Sequence, residues 1–468
     1  MPTHRDTQFM STLLIVRGWR GWCLVAWFVL CDTAFLIESR YLLTDAILFF
    51  FDCAILGGSF AIVESTPYSI SWFVALVLTG ISLGSAMSIK FTAMGLVGTV
   101  AVHQLFSLLS RYSELHTAHK QARLALLKKP KAAPSRATET TTTTTTTTKA
   151  TNATKATTPS ARSNDSVPGM SPEATILVDA LVRGTILVGI MLFIMYASWV
   201  VHMVLLPYSG AGDIFHTPEF LHSLQRKDGS GPARELPAGK QPMTLHERIF
   251  GELIPVMHSV NMGLQTKHPF ASYWYSWPLA QFRAVLYWQQ VTKGIGMWIW
   301  LVGNPVVWAS AFVIGIVGSV VLAAVGATYV AAASRSARRR SFSEQRTMEM
   351  LARQLGSNSS AIAVLLIGYL GNLVPYVLVP RETWNYHYLP ALLYAVLLLG
   401  LVLDVLLKAS HGSVTLHATT KLLLVALVCS AGVLFAYLSP WVYAFPMTQA
   451  QTDARMLFKA WSDWRTVD

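Results

Sequence analysis

Residues 381–392, RETWNYHYLPAL, gather an arginine, three aromatic side chains and a histidine directly before a long apolar run. Arginine suits phosphate because its planar guanidinium presents a fork of N–H donors. Aromatic faces beside histidine and asparagine could stack on a sugar or hold an extended polypeptide. A cluster of ionisable and aromatic residues at the edge of a membrane segment indicates a functional site. This stretch is therefore the first candidate site of the chain.

The composition indicates a membrane protein. Of the 468 residues, 53% are hydrophobic and only 13% are charged, which is about half the charged fraction of soluble domains. Several apolar runs exceed the roughly 18 residues that cross a bilayer, and only helices or closed barrels satisfy the backbone there. Long uninterrupted runs favour helices, so we predict an all-α polytopic membrane protein.

The net charge of +12 is explained by the loops rather than by a nucleic-acid partner. The excess of lysine and arginine lies between apolar runs, where the positive-inside bias of membrane proteins puts it. We therefore expect no nucleic acid to bind. The cysteines lie in apolar runs without the spacing of a metal site and are interpreted as small core residues: Cys23, Cys31, Cys53 and Cys429.

The apolar runs predict about nine transmembrane helices. Basic residues before the first run and in the arginine-rich segment 334–340 place those ends in the cytosol and the C-terminus on the opposite side. The predicted helices cover approximately Gly21–Leu36, the run from Asp45 to Val63, Ser71–Ser88, Phe91–Leu109, Ala174–Leu206, Met297–Ala332, Ala361–Val379, Tyr388–Leu407 and Lys421–Trp441.

Composition divides the chain into five parts. Residues 1–109 form an N-terminal membrane part of about four helices, and 176–206 form a single helix. Residues 110–175 are basic and threonine-rich, and we predict a disordered cytosolic loop; a mucin-like role would need the opposite side of the membrane. Residues 207–295 are the long lumenal loop, and 296–468 are a C-terminal four-helix domain.

Three cations of separate segments are predicted at the non-cytosolic membrane surface: Arg40, Lys90 and Arg381. Together they could hold a lipid-linked phosphate, which lies at this depth. The alternative is that they reach toward lipid headgroups or pair with neighbouring carboxylates, namely Glu38, Asp45 and Glu382.

The densest aromatic stretch of the long loop runs from Lys267 to Pro278. It could stack on a sugar or hold a polypeptide, but an aromatic belt at the membrane interface would also explain it. The loop contains no zinc-protease histidine pair, no glycine-rich phosphate loop and no GxSxG motif. Hydrolase and nucleotide-binding functions are therefore disfavoured.

Six segments in a fixed order resemble the protein O-mannosyltransferase family, the dolichyl-phosphate-mannose-dependent enzymes of the GT-C class. The likeness covers nearly the whole chain except residues 110–175. The segments are Ser39-Arg40 with Leu42, Leu43 and Asp45; Leu83-Gly84 with Ser88, Lys90 and Phe91; Ser209 to Asp213 with Pro218-Glu219-Phe220; His258, Asn261, Gly263 and Leu264 with His268-Pro269-Phe270 and Ser276-Trp277-Pro278; Gly303-Asn304-Pro305 with Val307-Trp308; and Arg381-Glu382-Thr383 with Tyr386 to Pro390.

The resemblance implies a GT-C-like helix bundle and inverting transfer of mannose from dolichyl phosphate mannose to Ser or Thr hydroxyls of secretory proteins. It implies that Arg40 faces the leaving phosphate. No metal or other cofactor is expected, because an already stable phosphate leaves. Further implied roles are donor binding by Arg381, Lys90, Tyr386 and His387, and acceptor or loop contacts by Asp213, Asn261, His268 and Trp277.

Two departures from the family pattern matter. The family's first helix and the adjacent acidic pair of its first lumenal loop have no counterpart, because the first predicted helix resembles the family's third. The large MIR domain of eukaryotic members is also missing from the 207–295 loop. The catalytic base is therefore unknown, and the nearest carboxylates are Glu38, Asp45 and Asp213.

These departures leave two functional hypotheses. The chain is either a mannosyltransferase or a catalytically incomplete subunit that binds donor lipid or client and pairs with an intact enzyme. A homodimer or heterodimer within the family is implied, in the endoplasmic reticulum membrane of a eukaryote or the plasma membrane of a bacterium. A transporter is disfavoured because the chain lacks repeated halves.

Overall fold

The computed structural model describes residues 19–40, 44–128, 170–264, 266–281, 283–333 and 342–462. Within these ranges, eight helices are long and apolar enough to cross a membrane, and a ninth span results if one bent helix pair is counted. The prediction of an all-α polytopic membrane protein is confirmed. The weak apolar patch at Phe9 to Val16 lies outside the described residues.

The described α-helices follow one another along the chain. They are α1 (Trp19–Leu30), α2 (Thr33–Arg40), α3 (Thr44–Glu64), α4 (Ile70–Ile89), α5 (Met94–Lys128), α6 (Pro172–Leu205), α7 (Pro218–His222), α8 (Ile254–Met262), α9 (Pro305–Ser310), α10 (Gly318–Ala333), α11 (Phe342–Leu373), α12 (Leu389–Ala409), α13 (Val414–Tyr443), α14 (Gln449–Asp453) and α15 (Lys459–Ser462).

Shorter elements complete the fold. Three antiparallel strands form a sheet in the order β1 (Ala284–Thr292), β2 (Ile295–Leu301) and β3 (Met447–Thr448). Two π-helical stretches cover Glu247–Leu253 and Ala311–Val317. The 3₁₀ turns are Phe91–Ala93, Ala211–Phe215, Trp274–Leu279, Val374–Leu378, Asn385–Tyr388 and Ser410–Gly412.

Helix α12 is the centre of the molecule. Its sequence is apolar on every side, which is the pattern of a helix surrounded by protein rather than by water. It packs against α1, α11 and the π-helical stretch Ala311–Val317. Protein buries 94% of its span, against 11% for α13. Helix α13 therefore exposes most of its surface to lipid, whereas α12 holds the bundle together.

Small residues allow close packing of α4 on α6. Gly80 and Gly84 are four residues apart, so they lie on one face of α4. A Cβ added at Gly84 would lie 2.7 Å from the carbonyl oxygen of Met191 and 2.7 Å from Cβ of Ile194. This distance is shorter than van der Waals contact. The two helix backbones can therefore approach this closely only because position 84 has no side chain.

The first predicted span, Gly21–Leu36, is wrong in shape. The chain bends by 67° between α1 and α2. Asp32 lies at the bend, where its Oδ1 accepts a hydrogen bond from the backbone N–H of Phe35 at 3.0 Å. An aspartate in this position caps a new helix. An isolated acidic residue within an apolar run, Asp32, therefore marks the bend in the sequence.

The predicted sixth helix, Met297–Ala332, is wrong at its start. Residues 295–301 form β2, which pairs with β1, and the helix begins only at Pro305. Trp298 and Trp300 alternate along the strand. Their rings meet edge to face, and Trp300 stacks on Trp441 with 4.6 Å between the ring centroids. Aromatic pairing across the sheet and onto α13 favours the extended backbone here.

Two further boundaries differ from the prediction. The region 110–175 is not disordered at its start, because α5 continues to Lys128, and residues 129–169 lie outside the described residues. The predicted seventh helix at Ala361 begins earlier, at Phe342. Both extensions are polar and therefore gave no apolar signal.

Candidate active site

Alternating spans bring several polar segments to one membrane face. The described residues between α6 and α9 (206–264, 266–281 and 283–304) lie on this face, and we call it the loop face. The end of α2, the α4–α5 connection and the segment 379–388 reach the same face. Arg40, Lys90 and Arg381 each contact a residue of another segment at this face.

The segment 381–388 is built around a buried histidine. His387 is 2% exposed, and its Nδ1 lies 3.0 Å from the carbonyl oxygen of Trp384. Nη2 of Arg381 lies 3.3 Å from Nε2 of the same ring. The backbone N–H of Trp384 also donates to Nδ1, at 3.1 Å. The imidazole is therefore held at both ring nitrogens, by Arg381 and by the backbone of Trp384.

Arg381 joins this segment to the long loop. Its Nη1 donates a hydrogen bond to Oδ1 of Asn261, in the last turn of α8. Two further bonds fasten the loop to the segment: Ser272 N–H donates to Thr383 O at 2.8 Å, and the Thr383 hydroxyl donates back to Ser272 O at 2.8 Å. Arg381 therefore contacts both Asn261 of the long loop and His387 of its own segment.

Lys90 is already neutralised. Its Nζ donates to both oxygens of Asp45, at 2.8 and 3.0 Å, which is the carboxylate pairing that the sequence left open. The same ammonium lies 5.5 Å from the ring centre of Tyr386. The pair thus sits beside the segment that carries Arg381 and His387, and we call these five side chains the lysine subsite: Asp45, Lys90, Arg381, Tyr386 and His387.

Arg40 occupies a separate position on the loop face. Its guanidinium donates to the carbonyl oxygen of Val442 and lies 5.0 Å from the ring centre of Tyr443. Among the described residues, no carboxylate forms an ion pair with it. It borders an open cavity of about 340 Å³ with Ile37, Ile299 and Val442. We call this cavity the arginine subsite; its residues make no hydrogen bond to Arg381.

The remaining predicted loop residues have different surroundings. His268 is exposed and accepts from the indole N–H of Trp384 at 3.4 Å. Trp277 is 1% exposed, and its ring stacks on that of His387 with 6.3 Å between the ring centroids. It therefore packs against one face of the imidazole. Asp213 accepts from the N–H of Gly210 at 2.9 Å and thereby closes a turn. Asn261 and His268 are the two that face solvent.

Two residues that anchor the site were not singled out from the sequence. Asp32 Oδ2 accepts from the N–H of Asn304 at 3.1 Å and from the indole N–H of Trp308 at 2.7 Å. Arg283 is buried with its guanidinium 4.4 Å from the Trp300 ring, and desolvation lowers its pKa to about 10. For both residues, the signal in the sequence was a charged side chain inside or beside an aromatic stretch. Among the described residues, no three His, Cys, Asp or Glu side chains could hold a metal ion.

Family models match both halves of the chain. The model of dolichyl-phosphate-mannose-protein mannosyltransferase matches residues 11–127. The model of the C-terminal four-transmembrane region of protein O-mannosyltransferase matches residues 247–461. Together they cover more than half of the chain, including both subsites.

Curated relatives agree at low identity. Protein O-mannosyl-transferase 2 of Drosophila melanogaster is 32% identical over 107 residues, which cover 22% of this chain and 14% of that protein. Dolichyl-phosphate-mannose–protein mannosyltransferase 1 of Saccharomyces cerevisiae is 25% identical over 208 residues, which cover 44% of this chain and 22% of that protein. The chain thus matches less than a quarter of the length of either relative.

A solved structure shares the fold. The S. cerevisiae protein O-mannosyltransferase Pmt1–Pmt2 complex bound to the sugar donor matches with a TM-score of 0.67 at 14% identity, covering 98% of this chain and 79% of that chain. The arrangement of helices is therefore common to both. With two family models in register along the sequence, the chain belongs to the protein O-mannosyltransferase family.

Proposed function

We propose that this chain transfers mannose from dolichyl phosphate mannose to the hydroxyl groups of Ser or Thr residues in proteins. The observation that carries the proposal is Arg40, a guanidinium without a carboxylate partner among the described residues, at the edge of an open cavity on the membrane surface. A lipid-linked phosphate reaches this depth while its chain stays in the bilayer. Family membership supports the same reaction.

Arg40 has the chemistry for the leaving group. As the bond from the anomeric carbon to phosphate breaks, negative charge grows on the phosphate oxygens. A fixed cation there stabilises the transition state more than the ground state. The fork of Arg40 uses one N–H for Val442, so further donors remain for a phosphate. Stacking on Tyr443 holds the guanidinium plane in place.

The lysine subsite suits the sugar and the acceptor. Lys90 is neutralised by Asp45, so Arg381 supplies the second available cation, already bridged to Asn261 and His387. Asn261 and His268 are exposed on the long loop and can meet an extended acceptor chain. Tyr386 presents an aromatic face beside them. We assign donor contacts to Arg381, Lys90, Tyr386 and His387, with Trp277 supporting the histidine.

A second function follows from the carboxylates. Asp45 and Asp213 are both committed to local partners, which would suit a subunit that binds donor or client without catalysing transfer. The solved neighbour is a complex of two family members. In this alternative, our chain would pair with an intact mannosyltransferase in the endoplasmic reticulum membrane.

The test is mannose transfer by the purified chain from dolichyl phosphate mannose to a Ser/Thr peptide, with and without a metal chelator. We expect transfer that the chelator does not change. Arg40→Ala should lower kcat by about 10²-fold or more, the magnitude typical for loss of one transition-state donor. Arg455→Ala is the matched control, because Arg455 also lies over a tyrosine ring and donates to carbonyl oxygens.

Each result separates the hypotheses. Equal rates for Arg40→Ala and the unmodified chain would show that the leaving-group assignment is wrong. If the unmodified chain transfers no mannose but binds the donor and co-purifies with an active family member, the subunit function is correct.

A further inference from the structure

The outer edge of strand β1 has no partner in the described part of the chain. The strand order of the sheet is β1, β2, β3, so β1 pairs on one side only, with β2. No backbone hydrogen bond joins its other side to any described residue. The N–H and C=O groups along that side therefore meet solvent on the loop face.

Strand β1 lacks most of the features that protect a sheet edge. Natural edge strands are short, carry charges or proline, or are covered by another segment. Strand β1 is nine residues long and contains neither a charged residue nor a proline. Every residue from Tyr287 to Thr292 is exposed. Register shifts at its two ends leave the four residues from Tyr287 to Gln290 in regular pairing, which is a template for a further strand.

The same hairpin lines the arginine subsite. Ile299 of β2 borders the cavity together with Arg40, and Tyr287 of β1 lies directly opposite Ile299. Opposite residues of antiparallel strands share one face of a sheet. The next pair, Trp288 and Trp298, occupies the other face, with 5.6 Å between the ring centroids. One face of the hairpin therefore meets the cavity, and the free edge of β1 runs beside that face.

The side chains of this edge suit an uncharged polypeptide. Gln289, Gln290 and Thr292 are exposed and offer amide and hydroxyl groups. Such groups form hydrogen bonds with Ser and Thr side chains across a sheet, and threonine itself favours an extended backbone. An anionic headgroup or an acidic partner would find no cation on β1. A Ser/Thr-rich segment in extended conformation therefore matches this edge.

On the basis of the proposed mannosyl transfer, we propose that the free edge of β1 binds an extended segment of the acceptor polypeptide as an added strand. Neighbouring strands lie about 4.8 Å apart, so an added strand lies about 10 Å from β2, whose Ile299 lines the cavity. The bound segment therefore stays outside the arginine subsite. It flanks the Ser or Thr that accepts mannose, and the residues beyond it reach the cavity.

This arrangement separates acceptor binding from the chemical step. Backbone hydrogen bonds hold the flanking segment with little dependence on its sequence, so one site serves many Ser/Thr-containing acceptors. The flanking segment adds affinity but contacts no reacting atom. The edge therefore determines KM for an acceptor that has an extended flanking segment, and a short acceptor does not reach it.

Two neighbouring proline variants test the edge. Gln289 and Gln290 lie opposite consecutive residues of β2, Met297 and Gly296, so their N–H groups point to opposite sides of β1. One of the variants Gln289→Pro and Gln290→Pro removes an outward N–H and keeps the pairing with β2. The other breaks that pairing and is the matched control. Thermal unfolding in detergent identifies the outward variant as the more stable one.

The probe is a fluorescent peptide with one Thr between two six-residue flanks of Val, Gln and Ala. We expect the outward variant to bind it about tenfold more weakly in fluorescence anisotropy, the effect of losing one or two net hydrogen bonds. In the transfer assay, the KM of this peptide should rise by the same factor. A blocked tripeptide around the same Thr is the internal control.

Peptides that are N-methylated at every second flanking residue give a readout that needs no change in the protein. The Thr fixes the register, and alternate N–H groups of an added strand point toward β1 or away from it. Methyl groups on one set of alternate residues should raise KM about tenfold, whereas methyl groups on the other set should change it little.

Each outcome decides the proposal. If the outward variant binds the long peptide as tightly as the unmodified chain does, or if both N-methylated sets act equally, strand addition is wrong while the mannosyltransferase function stands. If the variant separates two associated chains in light scattering and leaves peptide binding unchanged, the edge joins two copies and the proposal is wrong. Absence of mannose transfer to either peptide would refute the proposed function, and anisotropy with the proline variants would still decide whether the edge binds the peptide.

Discussion

At the scale of single residues, pairing divides the cations of the loop face into two kinds. Lys90 forms an ion pair with Asp45, whereas Arg40 and Arg381 contact uncharged carbonyl, amide or imidazole groups. A guanidinium bound to neutral partners keeps its full charge for a ligand. From their positions in the sequence, the three cations were equivalent candidates for binding phosphate. Their contacts in the structure make Arg40 and Arg381 better candidates than Lys90.

Replacing one member of the Lys90–Asp45 pair should be worse than replacing both. Lys90→Met leaves the buried Asp45 carboxylate without its donor, and we expect a loss of about 1–3 kcal/mol in the free energy of unfolding because Lys90 is partly exposed. The double variant Lys90→Met/Asp45→Asn removes both charges and should recover part of this loss. Thermal unfolding in detergent measures both; a double variant less stable than Lys90→Met contradicts the pairing.

At the scale of elements, one acidic residue decides where α2 points. Asp32 binds the start of α2 to the β2–α9 connection. Asn304 extends the node by donating to Cys31 O, directly after α1, and to Ala431 O on α13. Gly303 lets Trp308 pack directly on the backbone. The end of α2 carries Arg40, so this node positions the candidate contact for the leaving phosphate.

Asp32→Ala should destabilise the protein by about 3 kcal/mol or more, because three buried donors lose their acceptor. Asp32→Asn keeps one acceptor oxygen and should lose less. Unfolding temperatures in detergent should decrease in the order unmodified chain, Asp32→Asn, Asp32→Ala. Equal stability of the alanine variant and the unmodified chain would show that the node does not hold α2.

The packing of α4 on α6 allows a second test at this scale. Gly84→Ala pushes a methyl group against the Met191 carbonyl and Ile194, and we expect about 1–3 kcal/mol of destabilisation. Gly189→Ala on α6 is the control, since a Cβ there meets nothing within 4 Å; it should be neutral or stabilising by up to about 1 kcal/mol. Similar values for both variants would contradict close helix contact at Gly84.

At the scale of the whole molecule, the spans put the long loop, Arg40, Lys90 and Arg381 on one face. The compartment that this face meets stays a prediction from the basic residues of the opposite loops. A lumenal loop face is required for both proposed functions, because dolichol-linked donors and secretory acceptors meet there.

A glycosylation site introduced in the long loop tests this orientation. Asp228→Asn creates the acceptor sequence Asn-Gly-Ser at an exposed position, and the new side chain keeps the oxygen that accepts from Ser230. We expect an endoglycosidase-sensitive mass increase in eukaryotic microsomes, whereas the natural sequons Asn152-Ala-Thr, Asn164-Asp-Ser and Asn358-Ser-Ser stay unmodified. Glycan on the natural sequons only would reverse the orientation.

The sequence by itself determined the class of the protein, the approximate number of spans, the family, and the gathering of cations at one face. These properties depend on the length and polarity of contiguous runs and on short motifs, which are local along the chain. Residues 381–390 could be chosen as a site for the same reason, since the arginine, the aromatics and the histidine are neighbours in sequence.

Only the tertiary structure decided which groups meet. Arg40 contacts Val442, 402 positions away, and Lys90 pairs with Asp45 on another helix. The bend at Asp32 and the β1–β2 hairpin depend equally on distant partners, Trp308 and Trp441. Local hydrophobicity carries no information about such partners, because their proximity follows from how the helices pack.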